Sequence, residues 1–480
     1  MNIKYDPIIP GVVPREQSTI VVSPFDNRPV GAVTTSDITH VDKALDNAHQ
    51  LFNDRSKWLS VRERIVILKR LILIMTENFE SLSLNAATEG GKPLRDSRIE
   101  VERAIESVGL CIDGLKESGG TEIPMGINEA SSGKIAFTTL SPIGVVVAVS
   151  AFNHPLNLIV HQVAPAIAVG CPVIVKPAGA TPLSCFSFVA MVHQAGLPEG
   201  WCQCLLTENT DTAEKLVTDP RVDFFTFIGS AKIGWMLKSK LSAGTRCALE
   251  HGGAAPVILD KDVDFSDTIP KLVRGGFYHA GQVCVSVQRV YAHQSNAIDL
   301  AHDIATAADK LVVGDPCSEA TDVGPLITSR EVDRVDQWVK SAVEQGAKLL
   351  CGGNKISTSL YAPTVLLDPP DDCEVSQMEV FGPVVCVYSY SDVDDAIEKA
   401  NALPFSFQAS VFSDKIDFSM KAYRKLNASA VMVNEHTAFR VDWMPFAGLR
   451  ESGYGIGGVP HTMKDMQIEK MLVLSSNEIA

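Results

Sequence analysis

The chain has 480 residues, and its 42 lysines and arginines against 57 aspartates and glutamates give a formal net charge of −15 at pH 7. Hydrophobic residues make up 46% and charged residues 21% of the sequence, which is typical of soluble globular proteins and excludes collagenous and disordered classes. At about 150 residues per domain, this length predicts about three structural units. The acidic balance and the lack of Lys/Arg runs argue against nucleic acid or an anionic membrane surface as a partner.

The eleven cysteines are odd in number and lie without a repeating spacing from Cys111 to Cys386, unlike a disulfide framework. They favour a reducing, cytoplasmic setting. Cys202 and Cys204 form a close pair, but no second Cys/His pair follows at zinc-ligand spacing, so we predict no metal site. The N-terminus has no export-signal pattern, and prolines and a glycine interrupt the most apolar window, 158–175, so no membrane span is predicted.

The apolar spacing along the chain predicts helices alternating with buried strands. Residues 60–80 have Ile65, Leu68, Ile72 and Met75 at helical spacing, and residues 392–402 repeat this pattern. Residues 120–139 read as an antiparallel hairpin that projects from the body, and MQIEKMLVLSS near residue 470 as an edge strand. Short β-branched runs closed by Gly or Pro predict buried strands: IGVVVAV, CPVIVKP, VDFFTFIGS, AAPVILD and FGPVVCVY. The sequence therefore predicts an α/β protein with mainly parallel sheets.

Two strand ends offer cofactor chemistry. The strand VDFFTFI runs into Gly229, Ser230 and Gly234, and a helical pattern follows, so a glycine turn leads to a helix N-terminus that can seat a phosphate. Lys176 ends another apolar strand, at the sheet edge where nucleotides bind in open α/β folds. Taken alone, each pattern is more often a plain connection or a solvated charge.

Three polar residues in apolar surroundings suggest nucleophilic catalysis. Cys284 follows GQV in a small, apolar segment and is either a buried structural thiol or a nucleophile. Glu250, before a Gly pair in LEHGG, is a candidate base, or else a surface acid. Asn153 directly follows an apolar strand and could donate its amide to an oxyanion, or else forms a turn.

Seven segments in this order resemble the aldehyde dehydrogenase superfamily over nearly the whole chain: PIGVVVAVSAFNHP, VIVKPA, FTFIGSAKIG, LEHGG, GQVC, EVFGPVV and PFAGLRESGYG. The resemblance implies oxidation of an aldehyde with NAD or NADP, and an aldehyde dehydrogenase-like fold. Its parts would be a Rossmann-like cofactor-binding domain, an α/β catalytic domain and a projecting β-hairpin for homo-oligomer formation. These would comprise residues 1–119 and 142–252, residues 253–460, and residues 120–141 and 461–480, respectively.

The resemblance also implies a role for each motif residue. Cys284 would attack the aldehyde carbon, Asn153 would stabilise the oxyanion, and Glu250 would activate the hydrolytic water or deprotonate the thiol. The expected cofactor contacts are Lys176, Gly179, Gly229, Ser230, Gly234, Glu379 and Phe381.

Three positions depart from the usual motifs. Gly179 stands where NAD-preferring members usually carry a glutamate that repels a 2′-phosphate, so we expect NADP to be accepted beside NAD. His251 replaces the leucine of LELGG, and PFAG with Arg450 replaces PFGG with lysine. The resemblance itself gives neither of the last two a function.

The substrate funnel is predicted to be charged where relatives acting on neutral aldehydes are apolar. Its expected lining residues are Arg103, His154, His161 and Arg440, which suggest an anionic aldehyde because Arg binds carboxylate, phosphonate, phosphate or sulfonate bidentately. Arg103 with His154 resembles phosphonoacetaldehyde dehydrogenases, although Val283 stands where those carry arginine. These side chains could instead form ion pairs with Glu102, Glu435 or Asp442.

Three alternatives stay open at this point. The substrate could be a neutral hydroxyaldehyde such as lactaldehyde. A CoA-acylating enzyme would release the thioester to CoA, although the retained Glu250 speaks against it. A non-catalytic binding or structural protein could also use this fold, but it would not need Cys284, Glu250, Asn153 and Lys176 together.

Overall fold

The computed structural model describes residues 3–479 and confirms the α/β class. Within these residues, every helix is too short or too polar to cross a lipid bilayer. The α-helices are Ile38–Asn53, Val61–Glu77, Phe79–Gly90, Leu94–Glu117, Asn157–Val169, Leu183–Gln194, Thr210–Thr218, Ala231–Lys238, Phe265–Phe277, Ala297–Ala308, Ser329–Glu344, Glu374–Gln377, Val393–Asn401, Ile416–Lys425 and Val459–Asp465.

A six-stranded sheet forms the first half of the body. Its pairs are parallel except for the edge strand Gly453–Tyr454, which runs antiparallel to its neighbour. Its central strands are fully buried and β-branched, as expected for a parallel sheet with helices on both faces. In spatial order its strands are Gly453–Tyr454, Arg246–Glu250, Phe224–Ile228, Val146–Val149, Val173–Lys176 and Cys202–Cys204.

A seven-stranded sheet forms the second half and contains the largest apolar core cluster. Its strands are parallel except for the edge strand Lys348–Cys351, which runs antiparallel to Thr364–Leu367. All five strands predicted from β-branched runs lie in these two sheets. In spatial order its strands are Lys348–Cys351, Thr364–Leu367, Val384–Tyr390, Val287–His293, Ala255–Leu259, Gln408–Phe412 and Ala430–Val433.

Smaller sheets complete the fold. Ile3–Tyr5, Pro29–Ser36, Ser18–Val22 and Leu206–Thr207 form an N-terminal sheet, and Phe405–Ser406 pairs with Leu449–Arg450. The predicted hairpin is present as Glu122–Ile123 paired antiparallel with Lys134–Pro142. The predicted edge strand is present as Gln467–Ser475, and it pairs along its whole length with Lys134–Pro142.

The predicted helix at residues 60–80 is confirmed, with a shift of its buried face. It begins with a capping box, in which Ser60 and Glu63 satisfy each other's backbone N–H groups, and it ends at Glu77. Its buried side chains are Ile67, Leu68, Leu71 and Met75, whereas Ile65 and Ile72 are half-buried. The shift arises because the helix packs between two neighbouring helices, Leu94–Glu117 and Leu183–Gln194, which together cover a wider face than a single stripe.

A buried ion pair holds the helix Leu94–Glu117 against the start of the helix Asn157–Val169. The Glu100 carboxylate contacts the Lys92 ammonium, and both side chains are fully buried. The other Glu100 oxygen accepts the backbone N–H groups of Leu156 and Asn157, at 2.9 and 3.0 Å. Because Asn153 and His154 lie just before this helix start, Glu100 fixes the loop that carries them.

We predict that Lys92→Met destabilises the protein strongly. Removing one partner of a buried pair leaves an uncompensated buried charge, here the Glu100 carboxylate, at a cost of about 3–5 kcal/mol. The change should appear as a lower urea midpoint of unfolding at fixed protein concentration. Lys116→Met is the matched control, because the Lys116–Asp113 pair on the same helix is exposed and its loss should not be measurable. Equal midpoints for both variants would contradict this account.

Candidate active site

A cavity of about 640 Å³ lies where three neighbouring parallel strands of the six-stranded sheet end. Residues just beyond these ends line it: Ser150 to His154, Gly229 and Ser230, and Glu250 to Gly252. Parallel strands bring their carboxyl ends to one edge, which explains why motifs far apart in sequence meet here. Cys284 also lines this cavity, so the structure brings together the three predicted catalytic residues.

The loop that carries Cys284 has an unusual backbone. His279, Ala280 and Gly281 all have positive φ angles, of 48°, 54° and 69°. A Cβ atom on Gly281 would lie 2.0 Å from the Gly382 carbonyl oxygen, so only glycine fits there. Gln282 anchors the loop because its side-chain amide donates to the Pro325 carbonyl at 3.2 Å and accepts the Ile327 N–H at 2.9 Å.

The Cys284 thiol lies in an environment that favours its neutral form. Burial raises the pKa of Cys284 well above its ordinary value, and the negative charge of Glu250 adds to this effect. The positive charge of Arg440 acts in the opposite direction. A thiol with a raised pKa needs a proton acceptor before it can act as a nucleophile.

Asn153 is positioned by the cysteine loop itself. Its side-chain Nδ2 donates a hydrogen bond to the backbone carbonyl of Gln282, at 2.9 Å, and the residue is buried. An amide carries two N–H donors, so this bond fixes the group and leaves its second donor for another acceptor. The arrangement suits the oxyanion role predicted for Asn153.

Glu250 ends the strand Arg246–Glu250 and is held close to the glycine turn. Its backbone carbonyl accepts the N–H of Gly229 at 3.0 Å. Burial raises the pKa of the Glu250 carboxyl, while Arg440, whose Nη1 lies 3.6 Å from Oε1, lowers it. A carboxyl with a raised pKa is a stronger base than an exposed one once it is ionised.

The part of the cavity that the predicted cofactor residues line contains the buried carboxyl group of Glu379. Oε1 of Glu379 is buried without a hydrogen-bond partner among residues 3–479, and burial raises the pKa of this carboxyl to about 8. A Cβ atom on Gly252 would lie 1.6 Å from this oxygen, so the Gly pair makes room for the carboxylate. Phe381 stands next to Phe152, edge to face at 5.8 Å. These residues fit a ligand that offers ribose hydroxyls to Glu379 and a flat ring to the aromatic pair.

The other predicted cofactor residues differ in their surroundings. Gly229 and Ser230 line the cavity at the start of the helix Ala231–Lys238. The Lys176 ammonium donates to the Pro177 carbonyl at 3.1 Å, and burial lowers the pKa of Lys176. Gly179 faces open space.

Gly234 packs against His251. A Cβ atom there would lie 2.0 Å from the imidazole Cε1, so Gly234 must remain without a side chain. The Nδ1 of His251 in turn bonds the Gly229 carbonyl at 2.9 Å, which joins the base motif LEHGG to the glycine turn. Burial lowers the pKa of His251, so this residue is neutral.

Three of the four predicted substrate residues, Arg103, His161 and Arg440, contact the buried carboxylate of Asp442, whereas His154 contacts Tyr278. Arg103 binds the Asp442 carboxylate bidentately, through Nε at 3.0 Å and Nη2 at 2.6 Å, and His161 Nε2 lies 3.0 Å away. These partners hold the pKa of Asp442 well below its usual range. Arg103, His154 and Arg440 line the large cavity, whereas His161 lies behind Arg440 and lines a smaller cavity of about 30 Å³.

Three wall residues were not predicted from the sequence. The Tyr278 hydroxyl lies 3.3 Å from His154 Nε2, and its position six residues before Cys284 was the available signal. Burial lowers the pKa of His154 well below its ordinary value, so Tyr278 faces a neutral imidazole. Arg334 lies over the Trp338 ring at 4.4 Å, and its Nη1 is buried without a partner in the described part of the chain. No spacing signal marked these two helical residues.

The comparisons with known proteins agree with this geometry. The family model described as the aldehyde dehydrogenase family matches residues 12–472. The chain is 35% identical to a 3-sulfolactaldehyde dehydrogenase of Priestia aryabhattai, over 95% of this chain and 94% of that protein. It is 31% identical to a lactaldehyde dehydrogenase of Methanocaldococcus jannaschii, over 95% and 97%.

A solved structure is similar over the whole fold. It is the glyceraldehyde-3-phosphate dehydrogenase of Methanocaldococcus jannaschii complexed with NADP, with a TM-score of 0.92 and 31% identity, covering 97% of this chain and all of that one. The chain therefore belongs to the aldehyde dehydrogenase family, as an NAD(P)-dependent enzyme.

Proposed function

We propose that the protein oxidises a short aldehyde that carries an anionic group to the corresponding acid. The observation that carries this proposal is the Arg103 guanidinium in the wall of the Cys284 cavity. Its contact with Asp442 uses Nε and Nη2 and does not use Nη1. Nη1 can therefore bind a carboxylate, sulfonate, phosphonate or phosphate, with His154 and Tyr278 beside it as polar wall residues.

Similar proteins support an anionic substrate. The names of the Priestia relative and of the NADP-bound structure both specify aldehydes with a sulfonate or a phosphate group. The lactaldehyde relative is named for a neutral hydroxyaldehyde, which is therefore the second candidate. Arg103 favours the anionic class, because its Nη1 takes no part in the contact with Asp442 and a guanidinium N–H binds anionic oxygens strongly.

The chemistry follows from the three residues that meet in the cavity. The Cys284 thiol loses its proton to Glu250, and the thiolate adds to the aldehyde carbon to give a thiohemiacetal. Asn153 and the Cys284 backbone N–H stabilise the oxyanion, and the loss of one such donor typically lowers the rate about 10²- to 10³-fold. Oxidation of the thiohemiacetal gives a thioester. Glu250 passes the thiol proton to solvent and then takes a proton from the water that hydrolyses this thioester, and the Cys284 thiolate leaves. When bound, NAD(P) supplies the hydride acceptor for the oxidation.

The predicted cofactor residues suggest an assignment for the parts of the dinucleotide. We assign Gly229 and Ser230 to the pyrophosphate, Lys176 to the adenosine ribose, and Glu379 with Phe381 to the nicotinamide ribose and ring. The unpaired oxygen of Glu379 supports this assignment, since a buried acceptor without a partner fits an incoming hydroxyl group.

We also propose that the protein forms a homo-oligomer in the cytoplasm through the sheet of Gln467–Ser475 and Lys134–Pro142. The strand Gln467–Ser475 lies at the sheet edge, and Met471, Leu472, Val473 and Leu474 on it are all exposed. An exposed apolar edge strand is a surface that a partner chain covers.

Initial rates of NAD(P)H formation across matched anionic and neutral aldehydes test the substrate class. We predict that Arg103→Ala raises the KM for succinate semialdehyde or phosphonoacetaldehyde about 10- to 100-fold, because it removes a charged hydrogen bond. The KM for propanal or lactaldehyde should hardly change. Arg98→Ala is the matched control, since Arg98 lies on the same helix but pairs with Glu80 and Glu319 at the surface.

A preference of the parent enzyme for the neutral aldehydes would reassign Arg103 to its ion pair with Asp442. Acid production without CoA would separate this enzyme from a CoA-acylating one. Failure of every aldehyde to give NAD(P)H would instead favour a binding or structural role.

We predict that the enzyme uses NADP beside NAD and that Gly179→Glu abolishes this tolerance. The Cβ of the new residue would meet open space, so the variant should fold normally. A carboxylate beside the adenosine ribose repels a 2′-phosphate, and the KM for NADP should rise at least about tenfold while the KM for NAD does not rise. Gly179→Gln controls for size without charge. A negligible NADP rate in the parent enzyme would disprove the expectation.

A further inference from the structure

Arg440 lies between the base and the buried carboxylate of the wall. Its Nη1 is 3.6 Å from Glu250 Oε1, and its Nε is 3.5 Å from Asp442 Oδ1. Only 10% of the Arg440 side chain is exposed. The guanidinium thus lies between two carboxylates of the protein, although its Nε has no hydrogen-bond partner among residues 3–479.

Two further contacts restrict the movement of Arg440. Its Nη2 donates to His161 Nδ1 at 3.0 Å, and its guanidinium carbon lies 3.6 Å from the centre of the Phe446 ring. Because a guanidinium can only donate, His161 Nδ1 accepts and the imidazole proton lies on Nε2. This nitrogen lies 3.1 Å from its hydrogen-bond partner, Ser107 Oγ, and 3.0 Å from Asp442 Oδ1. The chain of contacts therefore runs from Asp442 through His161 to Arg440 and ends at Glu250.

We propose that Arg440 is a positioning residue for the proton transfer from Cys284 to Glu250. The Arg440 guanidinium keeps the Glu250 carboxylate ionised and in place. The S–H bond of Cys284 can then break, an O–H bond can form on Glu250, and a thiolate remains. This role rests on the proposed roles of Glu250 and Cys284, but it does not depend on the charge of the aldehyde.

The electrostatics of the two reacting groups agree with this role. Burial raises the pKa of both Glu250 and Cys284, and the charge of Arg440 opposes that rise in each. Asp442 raises the pKa of Glu250, and Glu379 raises that of Cys284. Arg440 is thus the cation that these two groups share.

Other ionisable groups also lie near Glu250 and Cys284. Arg103 faces Asp442 from the helix Leu94–Glu117, and His154 is neutral beside Tyr278. Lys92 pairs with Glu100, and its positive charge helps to lower the pKa of His154. A matched control for Arg440 is Arg98, whose guanidinium pairs with Glu80 and Glu319 at the protein surface.

The test is the pH dependence of Cys284 alkylation by iodoacetamide, followed by mass spectrometry with Cys284→Ser as the blank. Loss of a cation raises the pKa of a nearby thiol, so Arg440→Gln should move the alkylation midpoint upward by about one pH unit. Arg440→Lys keeps the charge and should return most of that shift. Arg98→Gln should leave the midpoint where it is in the parent protein, because it removes an equal charge outside the cavity.

Oxidation of the neutral aldehyde propanal gives the second readout. With Arg440→Gln the ionised base is present only at higher pH, so the acid limb of kcat against pH should move in the same direction as the alkylation midpoint. If Arg440→Gln instead raises only the KM for anionic aldehydes and leaves both pH profiles unchanged, Arg440 is a substrate contact and the proposal is wrong.

One outcome separates this proposal from the proposed function. Alkylation midpoints that differ as expected, in a protein that oxidises no aldehyde, would reject the function and keep the role of Arg440. If Arg440→Gln does not fold by near-UV circular dichroism, His161→Ala replaces it. That variant keeps the charge but removes the Nδ1 acceptor, and it should give a smaller upward shift, whereas an unchanged midpoint would overturn the proposal.

Discussion

The walls of the active-site cavity depend on one ionised carboxylate that water does not reach. Asp442 has no exposed side-chain surface, and an isolated charge in such a place would cost several kcal/mol. Its partners come from two helices that lie far from it in the sequence: Arg103 from Leu94–Glu117 and His161 from Asn157–Val169. Because the carboxylate must be paired to stay ionised, the loop that carries it cannot move away from either helix without leaving a buried charge. The substrate wall is thus specified by electrostatics as well as by apolar packing.

The catalytic groups depend on a second constraint, the register of adjacent parallel strands. Phe224–Ile228 pairs with Arg246–Glu250 so that Ile228 lies opposite Glu250, and the next N–H, that of Gly229, bonds the Glu250 carbonyl. The glycine turn and the base therefore occupy fixed positions relative to each other. His251 adds a second bond between the same two segments, through the Gly229 carbonyl. The same strand pairing therefore sets the positions of the glycine turn and of Glu250.

The sequence was sufficient to predict five strands of the two large sheets and to single out candidate catalytic residues, for different reasons. Buried parallel strands such as Val173–Lys176 are continuously apolar, a pattern that helices at surfaces do not share. Cys284 and Glu250 were identifiable because their motifs resemble a family. The contacts of Arg103 were not, because Asp442 lies 339 residues away and Glu102, Glu435 and Asp442 were equal candidates. Arg334 and Trp338 carry no local signal, since only the tertiary fold turns that helix face toward the cavity.

The three-stranded sheet has a consequence for the order in which the protein is made. Thr139 and Lys470 bond each other although they are 331 residues apart, and the strand Lys134–Pro142 pairs with Gln467–Ser475 along its whole length. On a ribosome, the earlier strand emerges long before its partner is synthesised. During that interval its open edge is available to the same strand of a neighbouring nascent chain. Pairing between neighbouring nascent chains can therefore precede pairing within one chain, and such mispairing would begin on crowded polysomes.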